Sequence, residues 1–200
     1  MKKAVFLITL MTLMIISSCS IFSSSAPVKH YYQIYYSPTK TLGKKISGTV
    51  RIKTFDVDKI YRIHNMVKRK SPNELFYFTS RFWASRPADM ITDLIANHIS
   101  KVELFSDVIM QLDRRPDFVL TGRILALDLI DSGEKWFARV SILFEIKDYK
   151  SDRTIVSHSF EKRKEVVNRD VVYVVRAMGE IIEEEAEIFF NKIYEALNID

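Results

Sequence analysis

The sequence predicts an α+β fold in a single domain, with two main helices packed on one face of a mostly antiparallel sheet. Segments rich in β-branched and aromatic residues come both before and after residues 91–102, where apolar residues recur every three or four positions. Residues 169–197 carry a second, longer stripe with the same helical period. The resulting order of strands, helix, strands and helix is typical of this layered class.

The first half of the chain holds three predicted strands. They cover residues 31–36, 48–55 and 75–84, which are dense in aromatic and β-branched residues. The intervening stretch 68–73 contains Pro72 and three consecutive basic residues, and we interpret it as a turn. The basic residues favour a solvated loop, with contact to anionic lipid headgroups as the alternative.

A first helix follows, headed by Pro87, a residue that suits the first turn of a helix. Strands at 118–130, 135–149 and 153–166 are separated by polar, hairpin-type turns and predict an antiparallel meander. In the last helix, at 169–197, residues 183–187 include four acids that we expect mostly on its outer face. The buried stripe of the first helix is predicted to consist of Ile91, Leu94, Ile95, His98, Ile99 and Val102.

The N-terminal residues 1–18 have the pattern of a secretory signal peptide. Lys2 and Lys3 precede an uncharged apolar run of 13 residues, too short for a comfortable membrane span, and two serines lead to Cys19. The stretch Ile16-Ser17-Ser18-Cys19 resembles the lipobox of bacterial lipoproteins, in which the cysteine is acylated and becomes the new N-terminus. We therefore expect lipidation at Cys19, with an ordinary secreted protein as the alternative.

Cys19 is the single cysteine of the chain, so an internal disulfide is excluded. Two or more acyl chains, such as palmitate, anchor a protein stably to a membrane. Residues 19–28 are predicted to form a flexible lipidated tether, and residues 29–200 the folded domain. Because Ser20, and not aspartate, follows the cysteine, we expect a cell-envelope location, on the outer membrane facing the periplasm if the organism is Gram-negative.

No motif in the sequence indicates catalysis, and we predict a protein without enzymatic activity, cofactor or metal ion. The four histidines lie more than 30 residues apart, and glycine-rich nucleotide motifs are absent. Asp56 and Asp58 could share a strand face as an acid–base pair, but a solvated face explains them as well. Removal of residues 1–18 lowers the formal net charge from +5 to +3, which argues against nucleic acid as a partner.

Seven short stretches carry a further signal through their order and spacing. They are Tyr31-Tyr32-Gln33-Ile34, Val50-Arg51-Ile52, the stretch from Phe55 to Arg62, Asn73-Glu74-Leu75, Trp83-Ala84, Pro87 ahead of a helix, and Asp117-Phe118-Val119-Leu120. Together they resemble the ABC-type transport auxiliary lipoprotein family over nearly all of residues 19–200.

The resemblance implies a non-enzymatic, membrane-anchored adaptor in a system that moves lipid between membranes, with an Mce-domain protein and an ABC permease complex as partners. An exposed edge strand could pair between copies, so we also expect a homo-oligomer. The alternative is a lipid-carrying or lipopolysaccharide-assembly lipoprotein with an internal cavity for an acyl chain. The partner-contact residues that we predict are Tyr31, Tyr32, Tyr35, Tyr36, Tyr61, Arg62 and Trp83.

Overall fold

The computed structural model describes residues 27–38 and 45–198 of the chain. The predicted signal peptide at 1–18, the predicted lipidation site Cys19 and residues 20–26 of the predicted tether lie outside the described residues. Among the described helices, none combines the length and apolar character needed to cross a membrane.

The described residues form two α-helices and nine strands, which confirms the predicted α+β class. A short 3₁₀ helix spans Lys59–Tyr61. The elements in chain order are β1 His30–Tyr32, β2 Ile46–Ile52, β3 Asp56–Val57, β4 Asn65–Ser71, β5 Glu74–Trp83, α1 Pro87–Lys101, β6 Phe105–Ile109, β7 Phe118–Asp131, β8 Trp136–Asp148, β9 Thr154–Val166 and α2 Val171–Leu197.

The long strand β7 organises the sheet. Along one edge it pairs antiparallel with β8, from Phe118 opposite Asp148 to Asp131 opposite Trp136, and β9 continues the predicted meander. The other edge of β7 is shared in turn by β2, β3 and β4, all of them parallel to it. The sheet is therefore mixed: its longest pairs are antiparallel, and five shorter pairs are parallel.

Strand β4 occupies the stretch that the sequence analysis interpreted as a turn. Only Pro72 and Asn73 form the turn, and Asn65–Ser71 pairs with both β5 and β7. The basic residues there are not in a solvated loop, because Lys68 forms an ion pair with Asp131 and Arg69 one with Asp128. The basic residues of β4 hid the strand pattern in the sequence, because the acids that pair with them lie about 60 residues away along the chain.

Both helices cover the same face of the sheet. Every residue of the predicted α1 stripe is buried, and α2 packs on β8 and β9. The rings of Phe144 in β8 and Phe189 in α2 stack with centroids 5.3 Å apart, and the rings of His98 and Phe190 join the two helices at 4.9 Å. Among the acids of α2, Glu185 contradicts the expected outer placement, because it is buried against His158 at 2.7 Å.

Candidate partner-contact surface

The segment after the predicted tether is held against both helices. Strand β1 pairs in parallel with β5, and the Ala84 amide donates to the Tyr32 carbonyl at 2.8 Å. Beyond β1 the chain stays extended, and Ile34 enters the core while its amide contacts the sulfur of Met90 in α1 at 3.5 Å. On the α2 side, a Cβ placed on Gly179 would lie 3.2 Å from the Tyr35 carbonyl oxygen, so glycine permits this close approach.

Tyr36 fastens the end of this segment to α1. Its hydroxyl lies 3.1 Å from Nδ1 of His98. Burial raises the pKa of Tyr36 well above its usual range, and Glu183 and Glu187 raise it further. Burial also lowers the pKa of His98 to about 4. Both groups are therefore neutral at pH 7, and a hydrogen bond between a neutral hydroxyl and a neutral imidazole joins Tyr36 to α1.

The opposite side of the segment faces outward. Tyr31 is 63% exposed and Tyr35 is 73% exposed, while Tyr32 between them is half-buried. These three tyrosines, with Val172 and Arg176 of α2, border a shallow cavity of about 290 Å³, and we name them the N-terminal aromatic surface. Exposed aromatic and aliphatic side chains next to an arginine are a composition enriched in protein interfaces.

The other predicted contact residues lie elsewhere. Trp83 and Tyr36 are buried, so their side chains offer a partner little contact area. Tyr61 is buried too, and its hydroxyl donates to Asp128 at 2.7 Å. Arg62 is exposed and lies 3.9 Å from Asp56 in a solvated ion pair. Partner contact through Tyr31, Tyr32 and Tyr35 stays a prediction, and these three are the tyrosines that the structure brings together at one site.

The sequence analysis missed the part of this surface that α2 contributes. Val172 and Arg176 lie about 140 residues from Tyr31 along the chain. The available signal was Val172 itself, an aliphatic residue outside the predicted buried stripe of α2, which includes Val171, Val174, Val175 and Met178, and it is indeed exposed. No set of three or more metal-ligating side chains forms within residues 27–38 and 45–198.

Residues 32–188 match the family described as the ABC-type transport auxiliary lipoprotein component. The chain belongs to this family. The match begins inside the N-terminal aromatic surface, at Tyr32, and ends within α2 at residue 188, so it covers strands β2 to β9, all of α1 and most of α2. Membership indicates a lipoprotein of the cell envelope that has an auxiliary role in ABC-type transport.

Solved structures share the fold of this family member. A Xanthomonas campestris protein of family DUF330 has a TM-score of 0.72 at 16% identity, covering 83% of this chain and 96% of its own. An uncharacterised protein has a TM-score of 0.68 at 12% identity, covering 84% and 99%. A hypothetical protein from Chlamydia trachomatis has a TM-score of 0.51 at 8% identity, covering 77% and 99%. No functionally curated relative matches the chain.

Proposed function

We propose that this auxiliary lipoprotein is a non-enzymatic adaptor, anchored at Cys19, which docks an Mce-domain protein and its ABC permease through the N-terminal aromatic surface. The system would move lipid between membranes, with the anchor in the outer membrane. The observation that carries the proposal is that the segment next to the predicted anchor is fastened to both helices and yet presents Tyr31 and Tyr35 outward.

The position of the surface suits a partner at a membrane. Eleven residues lie between Cys19 and Tyr31. An extended chain of that length spans about 40 Å at most, so the surface stays within that distance of the lipid anchor. Because the tether is short, a protein held at the membrane by its anchor meets a membrane-bound partner at a higher effective concentration than a free protein would.

Aromatic side chains with few rotatable bonds are efficient contact residues, because little conformational entropy is lost when they are covered. Tyr31 is already oriented by the ring of Phe82, at a centroid distance of 5.7 Å. The same edge strand, β1, ends one side of the sheet and could pair with a second copy. Self-association through β1 is thus compatible with an adaptor, but capture of a second copy alone does not support the adaptor role.

Capture in native membranes tests the docking. A photo-crosslinking amino acid replaces Tyr35 in the full-length chain, and captured proteins are identified by mass spectrometry. The matched control replaces Phe76, an exposed aromatic residue of β5 outside the surface. Capture of an Mce-domain or permease subunit from position 35, and not from 76, supports the adaptor. Capture of only another copy or an unrelated outer-membrane protein, with lipid in the preparation, overturns it in favour of the lipid carrier.

Substitution of the outward tyrosines gives a second measurement. The double variant Tyr31→Ala and Tyr35→Ala should reduce capture by a probe at Val172 about tenfold, a loss typical of interface aromatic residues. Its Tm should stay close to that of the parent chain, because both side chains are largely exposed. Phe76→Ala removes an exposed ring elsewhere and should leave capture unchanged.

A further inference from the structure

Five basic side chains surround an open groove of about 600 Å³ on the sheet face that the helices leave uncovered. The groove is bordered by the start of β7, the ends of β2 and β8 and the adjoining loops. Its neighbours along the strands, Ile52, Leu120 and Ile146, point the other way into the core. We call this cavity the basic groove, after its five cations Arg51, Lys53, Arg115, Lys147 and Lys150.

The two carboxylates of the basic groove neutralise little of this charge. Asp148 accepts from both the amide and the hydroxyl of Ser151, each at 2.7 Å, and so closes the turn between β8 and β9. Asp152 is solvated and forms an ion pair with Lys147 at 3.7 Å. Within the described residues, the remaining four cations of the groove form no ion pair. Arg115 lies over the ring of Tyr149, 5.9 Å from its centroid.

Arg51 carries the most informative atom of the groove. It belongs to β2, where it lies between Ile109 of β6 and Val119 of β7, so the strands fix its position. Its Nε is buried and has no hydrogen-bond partner among the described residues. A buried donor without an acceptor is unfavourable by about 1–3 kcal/mol in general, and native structures usually satisfy such a group with water or a ligand.

We propose that the basic groove binds a phosphate group, in the form of an anionic phospholipid headgroup. A guanidinium presents a planar set of donors that matches phosphate oxygens, and lysines add point charges. Thr121 and Tyr149 supply hydroxyls at the same site. Val119 is the one aliphatic residue of the lining, so the groove suits a polar headgroup and not an acyl chain. Free phosphate has the same chemistry, and the test separates the two sources.

Calorimetric titration of the full-length lipidated chain in neutral detergent, at low salt, tests this site. The probes are dihexanoyl phosphatidylglycerol, dihexanoyl phosphatidylcholine and inorganic phosphate. We expect phosphatidylglycerol to bind about tenfold more tightly than the zwitterionic lipid, with affinity falling as salt screens the charges. Equal affinities for phosphatidylglycerol and inorganic phosphate would retain the phosphate site but overturn the headgroup assignment. Absence of binding by all three probes would overturn the site.

Two pairs of substitutions distinguish a specific binding site from a general effect of positive charge on lipid binding. Arg51→Gln with Lys147→Gln should weaken phosphatidylglycerol binding about tenfold, whereas Lys29→Gln with Lys59→Gln removes the same charge elsewhere and should not. Equal losses in both pairs would refute the site. If the first pair fails to fold, Arg51→Lys keeps the charge and should still weaken binding about threefold, because lysine lacks the planar donor set. Unchanged binding in that variant would refute the role of Arg51.

Discussion

Among the described residues that take part in ion pairs, Asp128 has the most deeply buried side chain. Its carboxylate accepts from the Tyr61 hydroxyl at 2.7 Å and from Nε of Arg69 at 2.9 Å, and Arg139 lies 3.5 Å away. Burial and the nearby Asp128 charge raise the pKa of Tyr61 to about 12, so its hydroxyl stays a donor throughout the physiological range. One acid thus connects β4, β7, β8 and the 3₁₀ helix.

Asp128→Asn should destabilise the protein by about 2–3 kcal/mol, since removing one member of a buried ion pair leaves its partners without a counter-charge. Urea unfolding measures the loss. Glu165→Gln is the matched control, because Glu165 forms a 3.0 Å pair with Lys135 in which both side chains are about half exposed. The control should change stability by about 0.5 kcal/mol or less. Equal effects of the two substitutions would show that Asp128 is not a stabilising hub.

His98 predicts a loss of stability in acid. Burial lowers its folded pKa from 6.5 to about 4, so between these values the unfolded chain binds more protons than the folded one. The contribution is complete above pH 6.5 and is lost as the pH falls toward 4, with a slope of up to about 1.4 kcal/mol per pH unit. Unfolding free energies measured from pH 4 to 7 check this slope. His98→Gln should flatten it, and an unchanged slope would assign the acid sensitivity to other groups.

At the scale of elements, the connection between β2 and β3 joins the sheet to α1. The Phe55 amide donates to the Thr92 hydroxyl at 2.9 Å, and that hydroxyl donates in turn to the Ala88 carbonyl at 2.7 Å. The Phe55 ring lies directly on β7 at Gly122, where an added Cβ would fall 2.5 Å from ring carbons. Glycine is therefore required here by a close approach of two elements.

Gly122→Ala should destabilise the fold by about 1–3 kcal/mol, because the buried Phe55 ring has to move within a packed core. Chemical denaturation of the variant gives the value. The control is the same substitution in a Phe55→Ala background, where the space above β7 is empty. There Gly122→Ala should cost much less, and equal costs in both backgrounds would place the strain elsewhere.

At the scale of the whole molecule, we predict that anchoring depends on one residue, Cys19. Cys19→Ala should move the protein from the membrane fraction to the soluble or secreted fraction, because the predicted acyl chains can no longer be attached. Membrane fractionation with palmitate labelling measures the change. Ser20→Ala keeps the thiol and should remain labelled and membrane-bound. Retention of the Cys19→Ala chain in membranes would contradict the lipid-anchor prediction.

The two proposed surfaces lie at different places on the molecule. The N-terminal aromatic surface lies beside the tether and the helices, whereas the basic groove lies on the helix-free face of the sheet. An adaptor with partner contact on one face and headgroup contact on another could orient a transport complex relative to a membrane. Separate loss of protein capture and of lipid binding in the two sets of variants distinguishes these roles.

Local patterns in the sequence were sufficient for the helices, the β7–β8–β9 meander and the family resemblance. Helical stripes such as Ile91 to Val102 and the alternation of β8 repeat over a few residues, so they can be recognised without knowing the fold. Outward placement of Tyr31 and Tyr35 follows the same two-residue alternation. The burial of Tyr36 does too, although the sequence analysis grouped it with the exposed tyrosines.

Only the tertiary structure decided which segments meet across long stretches of chain. Parallel pairing of β2, β3 and β4 with β7 leaves no hairpin signal, because the partners are joined by long connections. The charged residues of β4 suggested a loop when only the sequence was considered. In the folded structure, Asp128 and Asp131 lie beside them. The basic groove likewise gathers Arg51 and Lys147 from strands almost 100 residues apart. Periodicity is a local property of the chain, whereas counter-charges, parallel neighbours and the burial of an aromatic ring are set by long-range packing.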